Sequence, residues 1–178
     1  MNIQASINPV ENGLFETDSI SKQQIEQAHN FRSKVIGKCA DVECWLVDQI
    51  KDYQAPSSSF AQKVQQLSVI LDKNKKDFNK PENLKKYLED FKPYSAFRSE
   101  IAHSKLTILQ TGKGEYFAAF QNVQTGSDIK TTKSILLSEV MRKQIWDEMH
   151  KAANNLTNYP VTPPSSPPRQ RPAATAGP

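Results

Sequence analysis

The chain has 178 residues, a net charge of +4 and two cysteines. This length predicts one domain, and the mild positive charge permits contact with nucleic acid without requiring it. There is no signal peptide and no apolar run long enough to span a membrane, which predicts a cytoplasmic protein with no membrane partner. Cys39 and Cys44 lie five positions apart in one predicted helix, about 140° apart around its axis. They are therefore expected to stay unbridged, as buried thiols in a reducing compartment.

Composition divides the chain into three parts. Residues 1–18 are predicted to be a flexible N-terminus and residues 19–158 a folded domain. Residues 159–178 are predicted to be a disordered tail, because seven of the eleven prolines lie from Pro160 onward and no aromatic residue follows Tyr159. The tail is interpreted as a spacer. The alternative is that its paired prolines and arginines dock on another protein as an extended left-handed helix.

Apolar residues three and four positions apart predict long helices in the first hundred residues. The first is expected over about Ser21–Tyr53, with Ser21 as its capping residue. Its apolar stripe consists of Ile25, Ala28, Phe31, Val35, Cys39, Val42, Leu46, Ile50 and Tyr53. Ser59 is predicted to cap a second helix. Pro81 suits the first turn of a third helix, and Pro93 is expected to end that helix and restart the chain.

The pattern changes after Lys105. The segments Leu106–Leu109 and Glu115–Val123 predict two short strands, joined by the turn sequence Thr-Gly-Lys-Gly into a small β-hairpin. Ser138 is predicted to cap a last helix. The buried side of that helix is expected to carry Met141, Ile145, Met149, Ala152 and Leu156. These elements predict an all-α fold, an up-and-down bundle of four or five helices with a small β-hairpin before the last helix.

Arg98 and His103 lie five positions apart near the end of the helix predicted after Pro93. Arginine binds phosphate through a planar fork of donors, and histidine is the side chain best suited to moving protons near neutral pH. The pair therefore predicts phosphodiester chemistry, the alternative being a polar surface pair without catalysis. On a straight helix the two side chains point about 140° apart. They need a second chain, or a helix that ends near His103, to meet.

The string Arg98-Ser99-Glu100-Ile101-Ala102-His103, on a bundle helix followed by a short excursion and a last helix, resembles the HEPN (higher eukaryotes and prokaryotes nucleotide-binding) superfamily. The resemblance extends from the first helix to the last, and its specific motif is six residues long. It implies a metal-independent endoribonuclease of toxin or defence type that cleaves RNA in a composite cleft of a homodimer. Family members often work beside a nucleotidyltransferase or an antitoxin, and no residue here identifies such a partner.

The resemblance also implies a role for each residue of the motif. His103 would transfer the proton of the 2′-hydroxyl or of the leaving group, and Arg98 would hold the scissile phosphate. Ser99, where active members often have asparagine, shares a helix face with His103 and is expected to orient it. Glu100 would support the site by neutralising the arginine of a second copy, unless it is simply solvated. Lys105 is expected to attract substrate phosphate, unless it only complements the helix dipole.

No metal and no cofactor is predicted, because the sequence contains no clustered carboxylates and no Cys/His spacing typical of a metal site. The main alternative function is a non-catalytic HEPN-like helical module that binds RNA, a nucleotide or a partner protein. A third is a helical accessory subunit that does not contact nucleic acid. The lysines of residues 73–86 are interpreted as a solvated loop and helix face. His29 and His150 are interpreted as surface or boundary residues, and Trp45 and Trp146 as packing anchors.

Overall fold

The computed structural model describes residues 22–125 and 130–160, and the side chains of 123–133 are left out of the description. The predictions of a flexible segment over 1–18, of a cap at Ser21 and of disorder beyond Pro160 lie outside the described residues. The described elements are, in chain order, α1 (Lys22–Ile50), α2 (Phe60–Lys73), a short 3-10 turn (Lys75–Asp77), α3 (Pro81–Ala102), β1 (Lys105–Gln110), β2 (Tyr116–Thr125), β3 (Lys130–Ser138) and α4 (Glu139–Thr157).

Helix α1 is amphipathic, as its sequence pattern predicts. The buried residues are Ala28, Phe31, Val35, Cys39, Val42, Leu46 and Ile50, a series of three- and four-residue steps along one face. Ile25, at the start of the predicted stripe, is instead 41% exposed. Tyr53 follows the end of the helix, where its hydroxyl donates to Asp77 Oδ2 over 3.2 Å. The long first helix and its core-facing side are therefore confirmed, and the predicted stripe extends too far at both ends, to the exposed Ile25 and to Tyr53, which lies beyond the helix.

Helix α2 begins where its capping residue predicts. The Ser59 hydroxyl accepts a hydrogen bond from the Gln62 amide over 3.2 Å, which satisfies one free N–H of the first turn. Helix α3 begins at Pro81, in the first turn, where a missing N–H costs nothing.

The prediction that Pro93 ends a helix is wrong, because α3 continues through it to Ala102. Proline lacks the N–H that would bond four residues back, so the helix loses one bond there. Pro93 itself is exposed, and Phe91 and Ile101 on either side of it are fully buried. Packing on both sides of the proline therefore outweighs the lost bond, and one helix of 22 residues replaces the two that were expected.

The prediction of an all-α fold is also wrong. The predicted hairpin is present as β1 and β2, with Gly114 at φ +81° in its turn. A third strand, β3, pairs antiparallel with β2 from Thr125↔Lys130 to Phe117↔Ser138, giving a three-stranded sheet in the order β1-β2-β3. The fold is therefore mixed, with four α-helices and one antiparallel sheet among the described residues. The first half of β3 reads Lys-Thr-Thr-Lys, so pairing with β2, and not an apolar pattern, accounts for that half of the strand.

The sheet lies against the helices and shares their core. Phe120 is buried on the inner face of β2, and its ring centroid lies 6.4 Å from that of Phe31 on α1. Helix α4 follows β3 without a loop, and its cap is confirmed because the Ser138 hydroxyl accepts from the Met141 amide over 3.2 Å. The chain then turns at Asn158, and Tyr159 packs into the same core.

Candidate functional site

The C-terminal end of α3 carries the predicted site. The helix ends at Ala102, and His103 is its capping residue, with a φ of −99° and a ψ of 3°. The next residue, Ser104, is buried and its hydroxyl donates to the carbonyl of Ile101 over 2.9 Å, so the chain leaves the helix at this point. The side chain of His103 is exposed. A helix that ends at His103 is one of the two arrangements that the spacing of the motif required.

Arg98 lies on a different side of α3, towards α1. Its side chain is half-buried, and its charge acts on the thiol of Cys39. Burial raises the pKa of Cys39 to about 11, the Arg98 guanidinium opposes that rise, and the Glu43 carboxylate adds to it. The Cys39 thiol donates to the carbonyl of Tyr94 over 3.7 Å. Arg98 therefore borders the seam between α1 and α3, while His103 is exposed at the end of the helix.

The structure does not join Arg98 to His103 within one chain. Across residues 22–125 and 130–160, no hydrogen bond or ion pair is found between them, in keeping with five helical steps that turn them about 140° apart. Ser99 is exposed and lies one turn before His103, which puts the two on the same side of the helix.

The other two predicted site residues flank the motif. Glu100 is half-buried, and its backbone carbonyl accepts from Asn122 Nδ2 over 2.7 Å, which ties β2 to the end of α3. Lys105 is exposed at the first position of β1, paired with Gln121 of β2. The sheet therefore fixes where the exposed lysine lies relative to the helix end.

Arg32 is a residue of this site that sequence reasoning missed. It is half-buried on α1, and its Nη2 atom donates to the carbonyl of Ala102 over 2.5 Å. That carbonyl belongs to the last turn of α3, where no helical partner exists, and it immediately precedes His103. The bond spans 70 positions of sequence. In the sequence Arg32 is only a polar residue beside the stripe position Phe31, so no local signal indicates it.

Three cationic side chains belong to the same end of α3 as the exposed imidazole: Arg32 is bonded to the carbonyl before it, Lys105 follows two residues after it, and Arg98 lies on another side of the helix. The guanidinium groups carry five N–H donors each, and one bond of Arg32 is used by the protein itself. Such a group of cations suits the binding of a phosphate oxygen. Among the described residues, no three histidine, cysteine, aspartate or glutamate side chains are grouped to hold a metal ion.

The cysteines, the two other histidines and the lysine-rich stretch lie outside this site. Cys44 is exposed, so the expectation that both cysteines are buried is wrong for it, and both thiols are free. His29 is exposed, and His150 is half-buried with its ring centroid 5.4 Å from that of Trp146. Within the lysine-rich stretch, Lys85 pairs with Asp72 at 2.5 Å and Lys75 with Glu82 at 3.9 Å. These lysines therefore contact nearby carboxylates, in keeping with a solvated charged face.

Comparisons with known proteins identify no relative. No model of a protein family matches the chain, and neither the curated proteins nor the solved structures contain a match to it. In the part of the chain that is described, none of the helices has the length and apolar character needed to cross a bilayer. What the fold and the site define is thus a mixed helix-and-sheet domain with an exposed histidine among cations.

Proposed function

We propose that the protein is a metal-independent endoribonuclease that works as a homodimer, as its resemblance to the HEPN superfamily implies. One observation supports this most directly: His103 caps α3 in an exposed position, directly after the carbonyl that Arg32 binds and five residues after Arg98. Imidazole supplies proton transfer and guanidinium supplies charge for a phosphate. The site thus offers both functions that cleavage of RNA requires.

The reaction follows from these groups. The 2′-oxygen of the substrate attacks the adjacent phosphorus, and the bond from phosphorus to the 5′-oxygen breaks. One His103 imidazole accepts the 2′-hydroxyl proton, and a second imidazole donates a proton to the departing 5′-oxygen, so the products are a 2′,3′-cyclic phosphate and a 5′-hydroxyl. A positioned acid or base contributes about 10²–10⁴ in rate. DNA lacks the internal nucleophile and is not cleaved.

A homodimer would bring together the arginine and the histidine that do not meet within one chain. Arg98 and His103 point in different directions from α3, and one imidazole cannot act as base and acid in the same step. A second copy with its α3 end apposed to the first supplies the second imidazole and an arginine for the same phosphate. In this arrangement Arg98 stabilises the charge that develops on the phosphate, and Lys105 attracts the RNA backbone. Ser99 orients the imidazole on its own helix face, and Glu100 balances the positive charge of the apposed arginine.

The first experiment measures cleavage of a labelled single-stranded RNA, and of the matching DNA, in the presence of EDTA. We expect the parent to cleave only the RNA and His103→Ala to lose about 100-fold or more of the rate. The matched control is His150→Gln, which removes an imidazole from α4 and is expected to keep the parent rate. If His103→Ala cleaves RNA as fast as the parent, the catalytic proposal is wrong. RNA binding without cleavage by the parent favours the non-catalytic module instead.

A second experiment tests the composite site. The parent is mixed with an excess of His103→Ala under conditions that exchange subunits, so that most parent chains are in mixed dimers with one imidazole each. Because the reaction needs one imidazole as base and a second as acid, the cleavage rate per parent chain should fall towards that of His103→Ala. A full rate per parent chain in a demonstrated mixed dimer contradicts the shared site, and light scattering that finds only monomers contradicts the dimer itself.

A further inference from the structure

The other end of α3 contains a pocket that the proposed ribonuclease site does not use. It has a volume of about 390 Å³ and lies between the start of α3 and the end of α4, a size within the range of small-molecule sites. Five asparagines line it: Asn79, Asn83, Asn154, Asn155 and Asn158. Asn154 is half-buried and the other four are exposed, and no hydrogen bond of their carboxamides is found within residues 22–125 and 130–160. Their donors and acceptors are therefore open to solvent and to a ligand.

The asparagines belong to two regions of the chain that meet at the pocket, the start of α3 and the end of α4. Asn154 and Asn158 are four positions apart at the C-terminal end of α4 and share a side. Asn79 and Asn83 bracket the start of α3. No aspartate or glutamate belongs to the lining. The walls thus match a ligand that is itself both donor and acceptor, and not a metal ion or a cationic group.

Two tyrosines supply the aromatic part of the lining. Tyr159 is only 8% exposed, and its hydroxyl is enclosed by protein with no hydrogen-bond partner among the described residues, so it contributes ring surface to the pocket. Tyr87 lines the same pocket and is half-buried. Its ring offers a flat surface on which a planar ligand can stack.

Lys80 lies at the rim in a conformation that helix stability does not explain. It has a φ of 53°, and no other non-glycine among the described residues has a positive φ. It occupies the capping position of α3 without making a side-chain capping bond. A cation at a helix N-terminus is also opposed by the helix dipole. Strained backbone conformations of this kind recur at ligand-binding sites. The lysine side chain and the N-terminus of α3 together favour an anion such as a phosphate.

We infer that this pocket binds a nucleobase that carries a phosphate, supplied either by a free ribonucleotide or by an unstacked nucleotide of an RNA strand. Base edges place a donor beside an acceptor at the spacing of a carboxamide, and asparagine pairs with them in a bidentate manner. The asparagine walls contact the base edge, Tyr87 stacks on its face, and Lys80 contacts the phosphate. This inference is independent of cleavage at His103, which lies at the opposite end of a helix of 22 residues, about 33 Å away.

Titration calorimetry of the full chain tests the inference, with the four ribonucleoside 5′-monophosphates as probes and ribose 5-phosphate as the control that lacks a base. At least one nucleotide is expected to bind, and ribose 5-phosphate at least tenfold more weakly. Equal binding of both, or no binding of any nucleotide at millimolar concentration, overturns the inference. Competition by a short single-stranded oligoribonucleotide assigns the pocket to RNA, and a lack of competition assigns it to a free nucleotide, so either result supports a nucleobase site.

Two double variants identify the pocket as the place of binding. Asn83→Ala with Asn154→Ala, and separately Asn79→Ala with Asn158→Ala, should each weaken nucleotide binding at least tenfold. Asn30→Ala removes an exposed carboxamide from α1, outside the pocket, and should leave binding unchanged. Circular dichroism checks that each variant folds. Unchanged affinity in both double variants overturns the inference. His103→Ala is expected to bind nucleotide as the parent does, whether or not the parent cleaves RNA, so this test is separate from the test of cleavage.

Discussion

The two ends of α3 differ in the chemistry that they offer a ligand. The C-terminal end has an exposed imidazole and three cations from three elements, Arg32, Arg98 and Lys105, and Arg32 binds the helix carbonyl that precedes the imidazole. At the N-terminal end, five asparagines, two tyrosines and one lysine line a pocket. Contacts to phosphate position a nucleic acid, and contacts to base edges specify it. The C-terminal end of α3 therefore offers a ligand positive charge, and the N-terminal end offers it hydrogen-bond partners. We interpret the two ends as separate binding sites.

The helix dipole sharpens this contrast. Cations near a helix C-terminus are favourable, so Arg32 and Lys105 are partly accounted for by the stability of α3 alone. Lys80 at the N-terminus has no such account, because the dipole opposes it and it makes no side-chain capping bond. The N-terminal end is thus the one whose lysine is not accounted for by the stability of α3. The charged end needs a functional test that separates catalysis from helix stability.

The largest expected effect is on catalysis at the charged end. Arg98→Ala should lower the rate of RNA cleavage about 100-fold, because a charge aimed at the developing phosphate charge is worth about 3 kcal/mol. Arg98→Lys should recover only part of that rate, since lysine lacks the planar fork. Initial rates measure both variants. Lys151→Ala, an exposed cation on α4, is the control with the parent rate. A parent-like rate in Arg98→Ala would remove the arginine from the mechanism.

The second effect is on stability at alkaline pH, beneath Arg98. Burial raises the pKa of Cys39 from 9.0 to about 11, so the folded state holds the thiol proton that the unfolded state releases. The contribution is full below pH 9 and is lost as the pH rises towards 11, on the order of 2 kcal/mol. Cys39→Ala should therefore lose less free energy of unfolding between these pH values than the parent. Denaturant titrations measure it, and Cys44→Ala, at the exposed cysteine, should lose as much as the parent.

A third effect, about 1–2 kcal/mol, concerns the bond that ties α1 to the end of α3. Arg32→Met keeps the length of the side chain but leaves the part-buried carbonyl of Ala102 without its donor, which should lower the free energy of unfolding by that amount. Lys51→Met is the control, because its pair with Asp48 is exposed to solvent and contributes little to stability. Equal losses in the two variants, measured by urea unfolding, would mean that Arg32 is an ordinary surface cation.

Local sequence patterns predicted the parts of the fold that depend on local chemistry. The stripe of α1 follows from apolar periodicity, and the caps at Ser59 and Ser138 follow from a hydroxyl three positions before a free amide. The β1–β2 turn follows from its glycines. Each of these features is set by neighbours within a few residues, which is the information that a single sequence contains.

Features that depend on distant partners could not be predicted in this way. Strand β3 is set largely by its pairing with β2, and α3 continues through Pro93 because Phe91 and Ile101 are buried by other elements. The Arg98–His103 spacing is visible in the sequence, but Arg32 reaches the site only through the packing of α1 on α3. The pocket likewise joins asparagines more than 70 positions apart, which no local pattern connects.

The smallest effect, up to about 1 kcal/mol, should have opposite signs in two matched tyrosines. Tyr159→Phe removes a buried hydroxyl that has no partner among the described residues, so the free energy of unfolding should stay the same or rise. Tyr53→Phe removes a hydroxyl that donates to Asp77 over 3.2 Å, so it should fall. The same Tyr159→Phe variant should bind nucleotide as the parent does, because the enclosed hydroxyl is not presented to the pocket and the ring is kept. Urea unfolding measures both variants, and a Tyr159→Phe variant that is destabilised as much as Tyr53→Phe would mean that the Tyr159 hydroxyl has a partner in the folded chain.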